Sequence, residues 1–233
     1  MTGVINVYKE KDYTSHDVVA VVRKFLRQEY GKIKIGHTGT LDPQAEGVLP
    51  ICIGRATKIA ANITADSKTY RAELILGLTT DTGDHVGKVI KTSEVKVTFE
   101  ALEESVKSFT PGYMQIPPMY SALKINGKKL YELARQGKTV ERQPRYVEIP
   151  RIDILGWNNN DRAWLDIDCG KGTYIRSLCE DIGQKLQTGG CMGNLVRTRS
   201  GAFNLDDAVT LSKIEQLIKD GRLQEVMHEP EFD

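Results

Sequence analysis

The chain opens on residues 3–8, a mostly apolar run that reads as a short opening strand. Thr14-Ser15-His16-Asp17 then has the form of a capping box, with Asp in place of the usual Glu. A helix is expected from there to about Tyr30, with Val18, Val22 and Phe25 on one face and Gly31 as its stop. Residues 35–47 are rich in turn formers and lead into a short apolar strand, 48–53. Over 71–76, Ala72, Leu74 and Leu76 fall on one side of a strand and Arg71 and Glu73 on the other. Phe99, Leu102, Val106 and Phe109 are helically spaced, 111–118 breaks regularity, and 127–137 holds a short helix carrying Leu130 and Leu133. Segments 147–155 and 163–169 read as strands joined by the turn Asn158-Asn159-Asn160-Asp161. Ile175, Leu178, Ile182 and Leu186 mark another helix, and 211–218 the last. Strands with irregular connections and interspersed helices predict an α+β fold with a mixed, largely antiparallel sheet.

Composition narrows this picture slightly. Hydrophobic residues make up 40% of the chain and charged ones 27%, and 233 residues can build one sizeable core or two smaller ones. No apolar run approaches the roughly 18–20 residues of a membrane span, and none at the N-terminus resembles a signal peptide, so a cytoplasmic protein with no membrane partner is expected. Cys52, Cys169, Cys179 and Cys191 are widely spaced, which predicts reduced, mostly buried thiols and no metal site.

Net charge is only +1, but it is unevenly distributed. Residues 121–151 hold Lys124, Lys128, Lys129, Arg135, Lys138, Arg142, Arg145 and Arg151 against Glu132, Glu141 and Glu148, a local excess of five positive charges. Residues 203–233 carry an equal excess of negative charge. A basic stretch suits a polyanion, although charge-rich stretches are also ordinary solvated surface.

The densest cluster of special residues is Lys34-Ile-Gly-His-Thr-Gly-Thr-Leu-Asp-Pro-Gln-Ala-Glu-Gly-Val-Leu49. Gly36, Gly39 and Gly47 permit tight turns and close approach, and Pro43 pushes Asp42 away from helical geometry. A carboxylate in an extended position on such a loop is a functional candidate; an Asx-turn in which Asp42 caps its own backbone is the other reading. No phosphate-binding G-x-x-x-x-G-K-[ST] motif is present. Ser15-His16-Asp17 is a helix start and not a hydrolase triad, because adjacent residues there point in different directions.

The run from Gly36 to Leu49 resembles the catalytic motif of TruB-type pseudouridine synthases. Further stretches agree in order: Lys68-Thr-Tyr-Arg71, Leu76-Gly-x-x-Thr-Asp-Thr-Gly-Asp84, Pro117-Pro-x-Tyr-Ser-Ala-Leu-Lys124, Gly127-x-x-x-Tyr-x-x-Ala-Arg-x-Gly137, Gly170-Lys-Gly-Thr-Tyr-Ile-Arg-Ser-Leu178 and Leu195-Val-Arg-Thr-Arg-x-Gly-x-Phe203. The likeness covers roughly residues 3–211. It implies isomerisation of a uridine to pseudouridine at position 55 in the T-loop of tRNA, by an enzyme that flips the base into a cleft.

The resemblance also assigns roles. Asp42 falls on the catalytic aspartate, Tyr70 on the tyrosine that stacks on the flipped uracil, and His37 on the histidine that inserts into the T-loop. Tyr174 and Leu195 fall on substrate-contacting positions, and Arg176 on the arginine that pairs with the catalytic carboxylate. Lys9 and Lys68, in matching stretches, are expected among the substrate-binding residues. A catalytic domain is expected over 1–211, with an RNA-clamping insertion at 112–146. Residues 212–233 are expected to form a short acidic tail, too small for the PUA domain that many family members carry. No obligate protein partner is implied, and a monomer suffices.

The chemistry agrees with this assignment. Pseudouridine formation breaks an N-glycosidic bond, turns the base over and makes a C–C bond to the same sugar. No net electrons move, so no cofactor is expected. An ordinary carboxylate is ionised at neutral pH and needs no partner base to act as a nucleophile. The residues leave open whether Asp42 adds to the sugar, adds to the ring or removes a sugar proton. Arg176 lies in the first turn of a predicted helix, where its charge opposes the helix dipole. An anionic neighbour would offset that, with Asp42 as the candidate; contact with a phosphate or with solvent is the other reading. His37 seen alone reads as a loop hydrogen-bonding residue. A non-catalytic RNA-binding module and a glycosidase using Asp42 are the competing classes. One departure is the opening turn, Lys9-Glu-Lys-Asp-Tyr-Thr-Ser15, which lacks the family's usual proline and glycine.

Overall fold

The fold, taken from a computed structural model, is described for residues 1–60, 67–125 and 127–229. In chain order its elements are β1 (Gly3–Lys9), α1 (Ser15–Tyr30), β2 (Ile35–His37), β3 (Glu46–Ile53), β4 (Lys68–Leu76), β5 (Leu78–Thr80), β6 (Val89–Thr92), α2 (Phe99–Lys107), β7 (Gly112–Gln115), β8 (Lys124–Ile125) and β9 (Lys128–Lys129). There follow α3 (Leu130–Arg135), β10 (Arg145–Glu148), β11 (Arg151–Trp157), β12 (Arg162–Cys169), α4 (Ile175–Lys185), β13 (Gly190–Ser200), β14 (Phe203–Asn204), α5 (Leu211–Lys219) and β15 (Met227–His228). They form two compact units, Met1–Tyr70 with Asn194–Asp233, and Arg71–Gly193. The chain passes between units within β4 and again within β13.

In the first unit β1 runs antiparallel to β3 along its whole length, Val4 opposite Cys52 and Val7 opposite Leu49. Both strands are buried nearly throughout, which is why β3 reads as a continuous apolar run. β15 pairs with β1, β2 with β3, and the end of β13 runs parallel to β3 through Val196↔Glu46 and Arg197↔Gly47. Parallel pairing beside antiparallel pairing makes this the expected mixed sheet. Thr14 starts α1 as anticipated: its hydroxyl accepts from Asp17 N–H, and the Asp17 carboxylate accepts from Thr14 N–H at 2.8 Å. Val18, Val22 and Leu26 recur every four residues on the buried face, each contributing about 1.5–3 kcal/mol. Phe25 is only half-buried, one step off that stripe. α5 packs beside α1, burying Ile214, Leu217 and Ile218, so residues 211–228 are integral to this unit.

In the second unit β12 lies between β11 and β4. Segment 147–155 is not one strand: it breaks at Pro150, which has no N–H for a ladder, into β10 and β11. β10 instead pairs with β7, giving regular structure to part of the irregular 111–118 segment. The turn after β11 forms as expected, with Asn158 Oδ1 accepting the N–H groups of Asn160, Asp161 and Arg162, each at 3.0 Å. Glu73 is buried despite its place on the polar side of β4, and Arg162 pairs with it at 2.6 Å. Arg151 is bound to Asp153, Asp166 and Asp168, so the basic excess of 121–151 overstates its free charge. Cys52, Cys169, Cys179 and Cys191 are all buried, as reduced thiols. Among the described residues no helix is long and apolar enough to cross a membrane.

Candidate active site

Asp42 stands in the loop between β2 and β3, between two anchored neighbours. On one side the Ser15 hydroxyl, from the first residue of α1, accepts Leu41 N–H at 2.8 Å and donates to Leu41 C=O at 3.2 Å. On the other, the Lys9 ammonium at the end of β1 donates to Ala45 C=O at 2.6 Å, Glu10 C=O at 3.0 Å and Pro43 C=O at 3.1 Å. Asp12 N–H adds a bond to Pro43 C=O, and Ala45 N–H closes a turn onto Asp42 C=O. An ammonium has three protons, and all three are used here. Lys9, 0% exposed, therefore holds the loop by its backbone carbonyls, and no proton is left for a ligand. Its burial pulls the ammonium down to about 8, against the opposing pull of Glu46, Asp42 and Asp12.

Arg197 secures the ends of the same loop. Its guanidinium is buried and donates to Val48 C=O at 2.7 Å and Gly39 C=O at 3.2 Å. Gly47 sits at φ +102°, where an added Cβ would run into the Arg197 carbonyl. Close parallel contact of β3 with β13 thus requires glycine there. Ser15 and Arg197 were not among the expected site residues, although both stand in segments already singled out.

His37, half-buried on β2, accepts Gly39 N–H on Nδ1 at 3.2 Å and lies edge-on to His16 at 5.1 Å. Burial, with the charges of His16 and Arg197, lowers it to about 4, so its ring is neutral at neutral pH. With Nδ1 accepting, the ring proton is on Nε2, free to donate to a ligand. Lys68 and Tyr70, both buried, open β4, and the Lys68 Cε lies 3.8 Å from where a Cβ at Gly39 would be. Leu195 is buried on β13, whose Thr198 and Arg199 side chains bond Thr69. Asp42, His37, Lys68, Tyr70 and Leu195 thus belong to the same unit.

Tyr174 and Arg176 belong to the second unit. Tyr174 is the N-cap residue of α4, held through its backbone by the Gln115 amide. Arg176, buried in the first turn, donates to Thr82 C=O at 3.0 Å and Tyr120 C=O at 2.7 Å. These carbonyls offset the unfavourable place of a cation at a helix start.

Two family models match the chain. One, described as TruB family pseudouridylate synthase (N terminal domain), covers residues 23–175. The other, tRNA pseudouridylate synthase B C-terminal domain, covers residues 176–229. A protein named tRNA pseudouridine synthase B from Alkaliphilus oremlandii is 51% identical over 93% of this chain and 71% of its own length. The protein of that name from Lachnoclostridium phytofermentans is 51% identical over 97% and 75%. Among solved structures, a Cbf5-Nop10-Gar1 complex matches with a TM-score of 0.76 at 29% identity. The match covers 97% of this chain and 60% of that one, so the chain spans about three fifths of that structural relative. On the two family models and these identities, the chain belongs to the TruB family of pseudouridylate synthases.

Proposed function

We propose that the protein isomerises uridine to pseudouridine in the T-loop of tRNA, at position 55, with Asp42 as the nucleophile. What supports this reading is the anchoring on both sides of Asp42: Ser15 fixes Leu41 and Lys9 fixes Pro43 and Ala45, so the backbone that carries the carboxylate is set before substrate arrives. A uridine inside a stacked loop must be extruded to reach it. Stacking the base on Tyr70 returns roughly 1–3 kcal/mol of that cost. His37 donates from Nε2 to the RNA, Lys68 and Leu195 line the bound nucleotide, and Tyr174 enters as a substrate contact on its motif. Residues 112–146 clamp the RNA. Arg176 enters on its motif as the partner of the Asp42 carboxylate, and the Asp42→Asn/Arg176→Gln double-mutant cycle tests that assignment.

An unmodified tRNA transcript incubated with the protein should gain one carbodiimide-reactive pseudouridine in its T-loop. Asp42→Asn should leave none at any enzyme concentration while binding the transcript normally. Turnover by Asp42→Asn would remove Asp42 from this role, and release of free uracil would point to a glycosidase instead.

A further inference from the structure

The start of α4 is poorly suited to a helix. Tyr174 at the N-cap offers no side-chain bond to the first turn, a place where Ser, Thr, Asp or Asn would be worth about 1 kcal/mol. Its backbone is held from outside the helix. Gln115, on β7 and 1% exposed, accepts Tyr174 N–H on Oε1 at 2.9 Å and donates from Nε2 to Tyr174 C=O at 3.1 Å. This two-point contact fixes the amide's orientation, since a flipped amide would set two acceptors and two donors against each other.

The second Nε2 proton goes to the Tyr113 hydroxyl oxygen at 2.7 Å. That hydroxyl must then spend its own hydrogen on Asp181 Oδ2, also at 2.7 Å. Burial and Asp181 push the Tyr113 phenol up, so it keeps that hydrogen. The order is therefore directional: Asp181, on α4, accepts from Tyr113, Tyr113 accepts from Gln115, and Gln115 grips the residue that opens α4. The Ser177 hydroxyl adds a bond to Ile116 C=O at 3.3 Å, beside Gln115. A half-buried chain closed in this way around the buried Gln115 favours one arrangement, because losing any member leaves a polar group of the relay without its bond.

We propose that Gln115, oriented by Tyr113 and Asp181, is a positioning residue for the reaction: it fixes the backbone of Tyr174 and thereby aims the ring that meets the substrate. This rests on the reading of Tyr174 as a substrate contact. Gln115→Met keeps the side chain's length and removes every bond it makes; Tyr174→Ala removes the ring.

On a T stem-loop RNA, Gln115→Met should lower kcat/KM by about tenfold in the otherwise native protein, two backbone bonds being lost. In the Tyr174→Ala background the same change should cost less than about twofold, while the fall in melting temperature is the same in both. In protein labelled with 15N-tyrosine, the Tyr174 amide should exchange at least about tenfold faster in Gln115→Met. Equal kinetic losses in both backgrounds, or no loss in the native one, would overturn the inference, since a purely structural role ignores the ring. Unchanged exchange at Tyr174 would overturn the relay alone. Native kinetics in Tyr174→Ala by itself would instead overturn the substrate-contact reading beneath it.

Discussion

Lys9 shows how one buried charge can be structural and still set a pH limit. Its ammonium serves three carbonyls, two of them in the loop that carries Asp42. A neutral amine has two protons to donate, so deprotonation leaves one carbonyl of the set unserved. Activity should therefore fall as pH rises through about 8. Stability should behave differently. Lysine's folded-state value is lowered from 10.5, so between about 8 and 10.5 the folded protein has released a proton that the unfolded chain keeps. In that window this group's contribution to stability rises with pH. A pH–rate profile beside melting curves checks the pair: the rate declines near 8 with no matching loss of stability from Lys9. Lys9→Met should lose activity at every pH and cost about 3 kcal/mol in denaturant titration, because buried carbonyls lose a charged donor.

The loop depends equally on the elements that flank it. β3 and β13 run parallel at Gly47 and Arg197, and the approach leaves no room for a side chain at Gly47. Gly47→Ala adds only a methyl group, yet it must occupy φ +102° against a backbone carbonyl that no rotamer change can move. The cost should be about 3 kcal/mol or more, read as a lower midpoint in denaturant titration. Because Arg197 also staples Gly39 and Val48, kcat should fall further than the unfolded fraction explains. By contrast, alanine at the exposed Gly31 C-cap meets no atom within 4 Å; only its backbone, at φ +74°, is strained. There the loss should be smaller and activity unaffected.

For RNA binding, the relevant quantity is the charge left free after internal pairing. Lys124 and Lys128 are exposed on the short β8–β9 hairpin, and Lys129 lies 5.4 Å from the Tyr131 ring centroid. Each phosphate neutralised contributes about −0.7 to −0.9 to the slope of log affinity against log salt. The Lys124→Ala/Lys128→Ala/Lys129→Ala variant should flatten that slope by about 2 in filter-binding titrations. Arg151 stands in the same basic stretch, but its charge is consumed by Asp153, Asp166 and Asp168. Arg151→Ala should leave the slope unchanged and lower the melting temperature. An unaltered slope in the triple variant would remove the hairpin from the RNA interface.

From residue order alone came the helices, the α+β class and the loop that bears Asp42. A helix with one buried face leaves a period near four, and a loop that must turn tightly leaves glycine and proline in fixed places. β13 left no such trace, since most of its positions are buried and it mixes glycine, asparagine, threonine and arginine. The division of 147–155 was written in Pro150, but the partner strand that made it matter, β7, lay in a segment judged irregular. The anchors of Asp42 could not be read locally either. Ser15 lies 26 positions from Leu41, and Arg197 lies 158 from Gly39. Hydrophobic periodicity records which side of an element is buried; it does not record which distant carbonyl a buried lysine, serine or arginine will meet. Chain order therefore marked the loop that bears Asp42, while tertiary folding alone decided which distant groups hold that loop's backbone.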